Sequence, residues 1–131
     1  MLIIIRGAPG SGKSTIAKSV PNAVICEADD WFVGDDGVYR YDAMGLRRAH
    51  TYCLNKAERA LSLGKTVVVA NTFTRLWEMD AYISLAGERR IEYKVFHATG
   101  RYENIHGVPL DKVQAMIDNY EPFEGEIDIP N

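Results

Sequence analysis

The chain has 131 residues, 47% of them hydrophobic, and a formal net charge of −3. That length fits one compact domain over residues 1–131 with a core that needs no staples, and the charge argues against a broad basic surface for bulk nucleic-acid binding while leaving room for a local basic groove. Nothing resembles a membrane span, the apolar start MLIII is too short for the core of a signal peptide, and Cys26 and Cys53 lie in apolar stretches without CxxC spacing, so the expectation is a cytoplasmic protein with buried, reduced thiols.

Residues 2–6, LIIIR, are a short β-branched run stopped by Gly7, the pattern of a buried parallel strand. A helix is expected from near Lys13 to before Pro21, and 23–27, AVICE, reads as a second strand. The stretch 34–41, GDDGVYRY, is a polar, glycine-punctuated loop. From Asp42 to Leu63 apolar residues recur at three and four, predicting one long amphipathic helix with Asp42 as N-cap and Gly64 beyond its end. TVVVA, 66–70, is a third buried strand; 74–86 predicts a helix capped by Thr74; 91–96, IEYKVF, is a fourth strand; and a last helix is expected over 110–120. The end, EPFEGEIDIPN, carries two prolines and four acids and reads as an irregular surface tail. Strands alternating with helices imply right-handed crossovers and a parallel sheet covered on both faces.

GAPGSGKST, residues 7–15, sits between the first strand and the first helix and satisfies G-x-x-x-x-G-K-[ST]. Gly7, Gly10 and Gly12 let the backbone of Gly7, Ala8, Pro9, Gly10, Ser11, Gly12, Lys13, Ser14 and Thr15 curl so that N–H groups face an anion. Lys13 would then reach the outer phosphates of a nucleoside triphosphate, and the Ser14 hydroxyl would ligate Mg²⁺. Such cradles are usually accompanied by a carboxylate at the end of a neighbouring buried strand, but here that strand ends in Ala70.

The second strand runs into EADDW, placing Glu27, Asp29 and Asp30 at its C-terminal end, the edge where open α/β sheets bind ligands. One carboxylate there can accept the proton of an attacking hydroxyl, and a second, Asp30, can hold magnesium or its water. Adjacent aspartates elsewhere often merely cap the next segment. Arg40, Arg47 and Arg48 could line an acceptor groove or be solvated helix-face residues, and Trp31, Tyr39 and Tyr41 could stack on a base or simply pack. His50 and Cys53 have metal-like spacing, yet with no second pair they read as core. His106 could touch nucleotide or shape the turn at Gly107 and Pro109. Asn71 and Thr72, at a strand end near the cradle, suit polar contacts to phosphate, acceptor or metal-bound water.

RGAPGSGKST, ADDWF, GVYRYD, LRRAHTYC, NTFTRLWEM, NIHGVP and MIDNYE occur in one order along nearly the whole chain. In these pieces the chain resembles the small P-loop kinases of the polynucleotide-kinase type, found in bacteriophage 5′-polynucleotide kinases and in a kinase module of a eukaryotic ubiquitin-ligase-binding protein. The resemblance implies ATP·Mg²⁺ as donor and a hydroxyl as acceptor, a nucleic-acid 5′-end in the favoured case and a nucleoside, nucleotide or other small alcohol in the alternative. It makes Asp29 the general base, Lys13 and Ser14 the donor-phosphate ligands, and the segment around 101–109 a lid. The chain departs from the family at Ala70, where an acid is usual, at Phe73, where Asn is usual, and at Glu103, where an arginine precedes NxHG; Arg101 is the nearest arginine to replace it. Those departures leave open a catalytically weak nucleotide-binding module that acts through a partner. The expected architecture is a monomeric three-layer α/β P-loop fold of kinase type, with about four parallel strands in the order 2-3-1-4.

Overall fold

The computed structural model describes residues 1–102 and 107–130. Five strands, β1 (Leu2–Arg6), β2 (Val24–Cys26), β3 (Val67–Ala70), β4 (Tyr93–Ala98) and β5 (Ile127–Ile129), form one parallel sheet in the order β2-β3-β1-β4-β5. The helices α1 (Lys13–Lys18), α2 (Leu46–Ser62), α3 (Asp80–Glu88) and α4 (Leu110–Asp118) connect them. The central strands β1 and β3 are apolar at nearly every position because both faces are covered. On one face Leu2, Ile4, Val67, Val69 and Val95 pack against α2 and α3; on the other Ile5, Val68, Ala70 and Ala98 pack against Ile16 and Ala17 of α1.

The expected order 2-3-1-4 holds, and the sheet gains one strand. The acidic, proline-bounded tail contributes β5, which pairs with β4 in the register Phe96↔Ile127, His97↔Asp128 and Ala98↔Ile129. Ile129 packs beside Phe96 on the α1 face, and the Thr99 amide donates to the Ile129 carbonyl at 2.9 Å. Three residues with one apolar contact face make a short edge strand, a signal too brief to outweigh the tail's composition.

The helix expected from Asp42 is divided. Asp42 accepts a hydrogen bond from the Met44 amide at 3.0 Å and so caps a 3₁₀ turn, Ala43–Gly45, from which α2 continues. Thr74 caps nothing: the chain makes a 3₁₀ turn, Leu76–Met79, whose start is closed by the Arg75 amide on Glu78 Oε1, and α3 follows. The fourth strand begins two residues later than expected and runs to Ala98.

Beneath the end of β1 lies a fully buried arginine. Arg6 donates to the Phe73 carbonyl at 3.1 Å from Nε and 2.6 Å from Nη2, pairs with Glu126 Oε1 at 3.0 Å, and lies over the Tyr120 ring at 4.1 Å. A buried charge is tolerable only with such partners. Phe73 itself has φ 43°, costly for an aromatic residue, and is held there by Arg6 and by edge packing of its ring on Tyr82. No helix among the described residues is long and apolar enough to cross a membrane.

Candidate nucleotide and phosphoryl-transfer site

The cradle leaves the sheet at Gly7, whose amide donates to the Thr72 carbonyl at 3.1 Å. A Cβ on Gly7 would stand 2.5 Å from Ser11 Oγ and 2.6 Å from the Ala98 carbonyl, and the carbonyl cannot give way, so only glycine fits. Gly10 and Gly12 lie at φ 81° and 95°, the left-handed backbone that turns the loop into α1. Beyond β4 the chain returns over the loop: the Gly100 amide donates to Ser11 O at 3.1 Å and the Tyr102 amide to Gly10 O at 2.7 Å. Arg101, exposed between them, therefore stands at the rim of the cradle.

The loop is built to take an anion. Among the described residues the amides of Gly10, Gly12, Lys13 and Ser14 donate to no protein acceptor, and buried Ser11 Oγ has no partner. Lys13 Nζ folds back on the loop, donating to Gly7 O at 2.9 Å and Ala8 O at 3.0 Å. Burial lowers its pKa to about 8, while the charges of Asp29 and Glu27 pull the other way. A polyphosphate would take up the unpaired amides and favour the protonated form of Lys13.

No acid stands at Ala70, and the carboxylate that meets Ser14 comes from one strand away. Ala70 is packed among the apolar residues beneath α1, whereas Ser14 Oγ donates to Glu27 Oε1 at 2.6 Å from the end of β2. Burial pushes the Glu27 carboxyl up, helped by Asp30 and Asp29 and opposed by Ser14 and Lys13. A hydroxyl and a carboxylate in contact beside a phosphate cradle fit Mg²⁺, a hard cation that takes oxygen ligands. Glu27 is the residue that spacing alone did not single out. Asp30, expected in that role, is exposed on the next turn, and Ser14 makes its contact with Glu27.

Asp29 and Asp30 open a 3₁₀ turn, Ala28–Phe32, whose first amide is fixed by Asn71: the Ala28 N–H donates to Asn71 Oδ1 at 2.9 Å. Asn71 is buried and also meets Cys53 Sγ at 3.5 Å, so its carboxamide ties the end of β3 to this turn and to α2. Asp29 is exposed and accepts from the Tyr39 hydroxyl at 3.5 Å. Burial first, and then the Asp29 charge, push the Tyr39 phenol up to about 12, which keeps it a donor.

Further out, a shallow pocket of about 540 Å³ is lined by Trp31, Phe32, Val33, Arg40, Met44 and Arg48 among others. Trp31 and Tyr52 stand 5.8 Å apart, and Phe32 packs with Tyr39 and Tyr41. Arg40 is paired with Asp36 at 2.7 Å in the open, and Arg47 is exposed on the first turn of α2. Thr72 is half-buried and offers its carbonyl to Gly7. His50 is exposed on α2 while Cys53 is buried in the core. Glu103 and His106 lie outside the described residues.

A parallel sheet with a glycine-built phosphate loop between β1 and α1 defines a P-loop nucleotide-binding fold of kinase type. The chain belongs to the AAA domain family, whose profile matches residues 2–101. Over 139 aligned residues it is 32% identical to human NEDD4-binding protein 2; the match covers 94% of this chain and 8% of that protein, so the chain spans a small part of its relative. Among solved structures, Kti12 from Chaetomium thermophilum in complex with ADP-AlF3 superposes with a TM-score of 0.71 at 15% identity, covering 99% of this chain and 89% of Kti12. A chain of the Pnkp1/Rnl/Hen1 RNA repair complex superposes with a TM-score of 0.60 at 19% identity, covering 95% and 40%. At such identities these structures bear on the fold alone.

Proposed function

We propose that the chain transfers the γ-phosphate of ATP to a hydroxyl, with a nucleic-acid 5′-end as the favoured acceptor. The observation that carries this reading is the meeting, at one sheet edge, of the unpaired cradle amides, Lys13, the Ser14–Glu27 pair and the exposed Asp29 carboxylate. The cradle amides and Lys13 bind and orient the triphosphate. Ser14 and Glu27, with Asp30 nearby, hold Mg²⁺, which when bound offsets phosphate charge. Asp29 accepts the proton of the attacking hydroxyl, held for that role by the Tyr39 hydroxyl, and Asn71 fixes the turn that carries it. Arg101, brought to the cradle rim by its backbone neighbours, adds positive charge where charge develops.

The acceptor would lie toward Arg40, Arg47, Thr72 and the pocket that holds Trp31 and Arg48, where an aromatic ring and guanidinium groups suit a base and a phosphate. Two buried free thiols agree with a cytoplasmic setting, and the reading treats the chain as a monomer.

The test is Asp29→Asn, which keeps shape and removes the proton acceptor. Transfer should fall by about 10²–10⁴-fold while ATP binding stays nearly intact. Equal transfer rates for the variant and the wild type would remove Asp29 from the mechanism. Should a screen of oligonucleotides, nucleosides and sugars find transfer only to a small alcohol, the reaction stands and the nucleic-acid acceptor falls.

A further inference from the structure

We propose that His97, Glu126 and Asp128 form a binding site for one divalent transition-metal ion of the zinc class, at the β4–β5 edge and apart from the magnesium position beside Ser14. His97 and Asp128 are register partners on adjacent strands, so their side chains leave the same face of the sheet. His97 Nδ1 stands 3.4 Å from Asp128 Oδ1 and 3.7 Å from Glu126 Oε2, and one ligand atom from each of the three lies within 4.8 Å of the others. Two donors about 2.0–2.1 Å from a tetrahedral ion are about 3.4 Å apart, so the histidine–aspartate spacing already matches and Glu126 needs only a small closing movement.

The carboxylate carries the second observation. The Glu126 side chain is only 10% exposed, and its two oxygens are used unequally. Oε1 accepts from Arg6, from the Tyr120 hydroxyl at 2.8 Å and from the Phe123 amide at 3.2 Å. Oε2 accepts no hydrogen bond among the described residues, and it faces His97 beyond hydrogen-bonding reach. A carboxylate oxygen that takes no donor, on a side chain nine-tenths buried, and that faces an imidazole nitrogen is an arrangement a cation can complete. The imidazole plane is held by stacking on the Tyr120 ring at 4.0 Å with 11° between planes.

Charge fits as well. Arg6 offsets Glu126 at Oε1 but also holds the Phe73 carbonyl, and Asp128, at 67% exposed, adds a second negative charge on the open side. One imidazole and two carboxylates suit zinc-class ions, whereas magnesium prefers an all-oxygen shell. The ion takes Nδ1 and leaves the ring proton on Nε2, and water fills the fourth position. Bound there, it ties β5 to β4 and braces Glu126 against Arg6, which holds the carbonyl next to the cradle.

The experiment titrates ZnCl2, and CoCl2 as a visible probe, into the nucleotide-free full chain with excess magnesium present to fill hard-oxygen sites. One saturable equivalent of zinc is expected, with a zinc-dependent rise in melting temperature and a tetrahedral cobalt spectrum. His97→Ala should weaken zinc binding by at least about tenfold and abolish the cobalt bands. Asp128→Asn, at an exposed position, should weaken it with the metal-free melting temperature unchanged, which guards against a folding defect in the histidine variant. Absence of saturable zinc in the wild type would overturn the site and leave His97 as an ion-pair partner of the two carboxylates. Zinc binding that survives both substitutions would overturn it too.

Discussion

The two sides of the candidate site are built differently. The donor side is backbone: residues 7–15 are bonded to the end of β3 at Thr72 and to the exit of β4 at Gly100 and Tyr102, with buried Arg6 anchored beneath. The proposed acceptor side, from Ala28 to Arg48, is mostly exposed side chains on 3₁₀ turns and a loop, held by the open Asp36–Arg40 pair and the Asp42 cap. Backbone amides in a fixed curl recognise a phosphate whatever the rest of the chain does. Exposed side chains can be exchanged at little cost to stability, so on the proposed function acceptor choice would reside where the structure constrains least.

The contrast breaks first at Lys13. Lys13→Ala should abolish ATP-dependent stabilisation, which is about 2.7 kcal/mol for a ligand at a hundred times its Kd. A variant that keeps the wild-type thermal shift would mean that the loop does not hold the triphosphate. The same lysine gives a pH signature without nucleotide. Its folded pKa is lowered from 10.5 to about 8, so between those values the unfolded chain binds more protons and stability rises with pH. Relative to Lys13→Met, the wild type should gain about 2 kcal/mol between pH 7.5 and 10.5, allowing for partial exposure. Urea unfolding at several pH values reads this, and parallel profiles for the two proteins would contradict the burial argument.

A smaller effect separates the two candidate acids. Glu27→Gln should raise the magnesium concentration needed for half-maximal turnover by about tenfold, leaving the acceptor KM in place. If stability falls while magnesium dependence is unchanged, the Ser14–Glu27 contact serves the fold alone. The smallest changes belong to the acceptor side: Arg47→Ala and Arg40→Ala should each raise the acceptor KM severalfold and leave ATP affinity and unfolding untouched, because both side chains are exposed. Loss of ATP affinity in either would erase the distinction between the two sides.

What could be read from the sequence follows the range of the interactions involved. The cradle depends on contiguous residues, so its spacing sufficed to locate it between β1 and α1; the apolar runs gave four of the strands, and their order came with the P-loop kinase fold. Glu27 was placed at that sheet edge without a role, because its meeting with Ser14 joins two elements 13 residues apart through side-chain reach. A signal was present: an acid directly after an apolar strand, with Ala70 standing where the neighbouring strand should have carried one. The fifth strand was hidden by an acidic, proline-bounded composition. Its clue was Arg6, a charge closing an apolar strand that needed a carboxylate partner and found Glu126 120 residues away. Likewise the helix start expected at Thr74 failed, although the helix itself is there as α3, because a cap residue in sequence is not a cap unless its side chain reaches the first turn.

The most direct test of the central claim, a working phosphotransferase whose acid has moved from β3 to β2, is transfer of labelled γ-phosphate. Wild-type chain, ATP and magnesium are incubated with a 5′-hydroxyl oligonucleotide, with ATP affinity measured on the same preparation. The account predicts label on the 5′-end and its loss in Lys13→Ala. ATP binding with no label on the oligonucleotide or on any nucleoside or sugar acceptor would contradict it, and the chain would then be a nucleotide-binding module that acts through a partner.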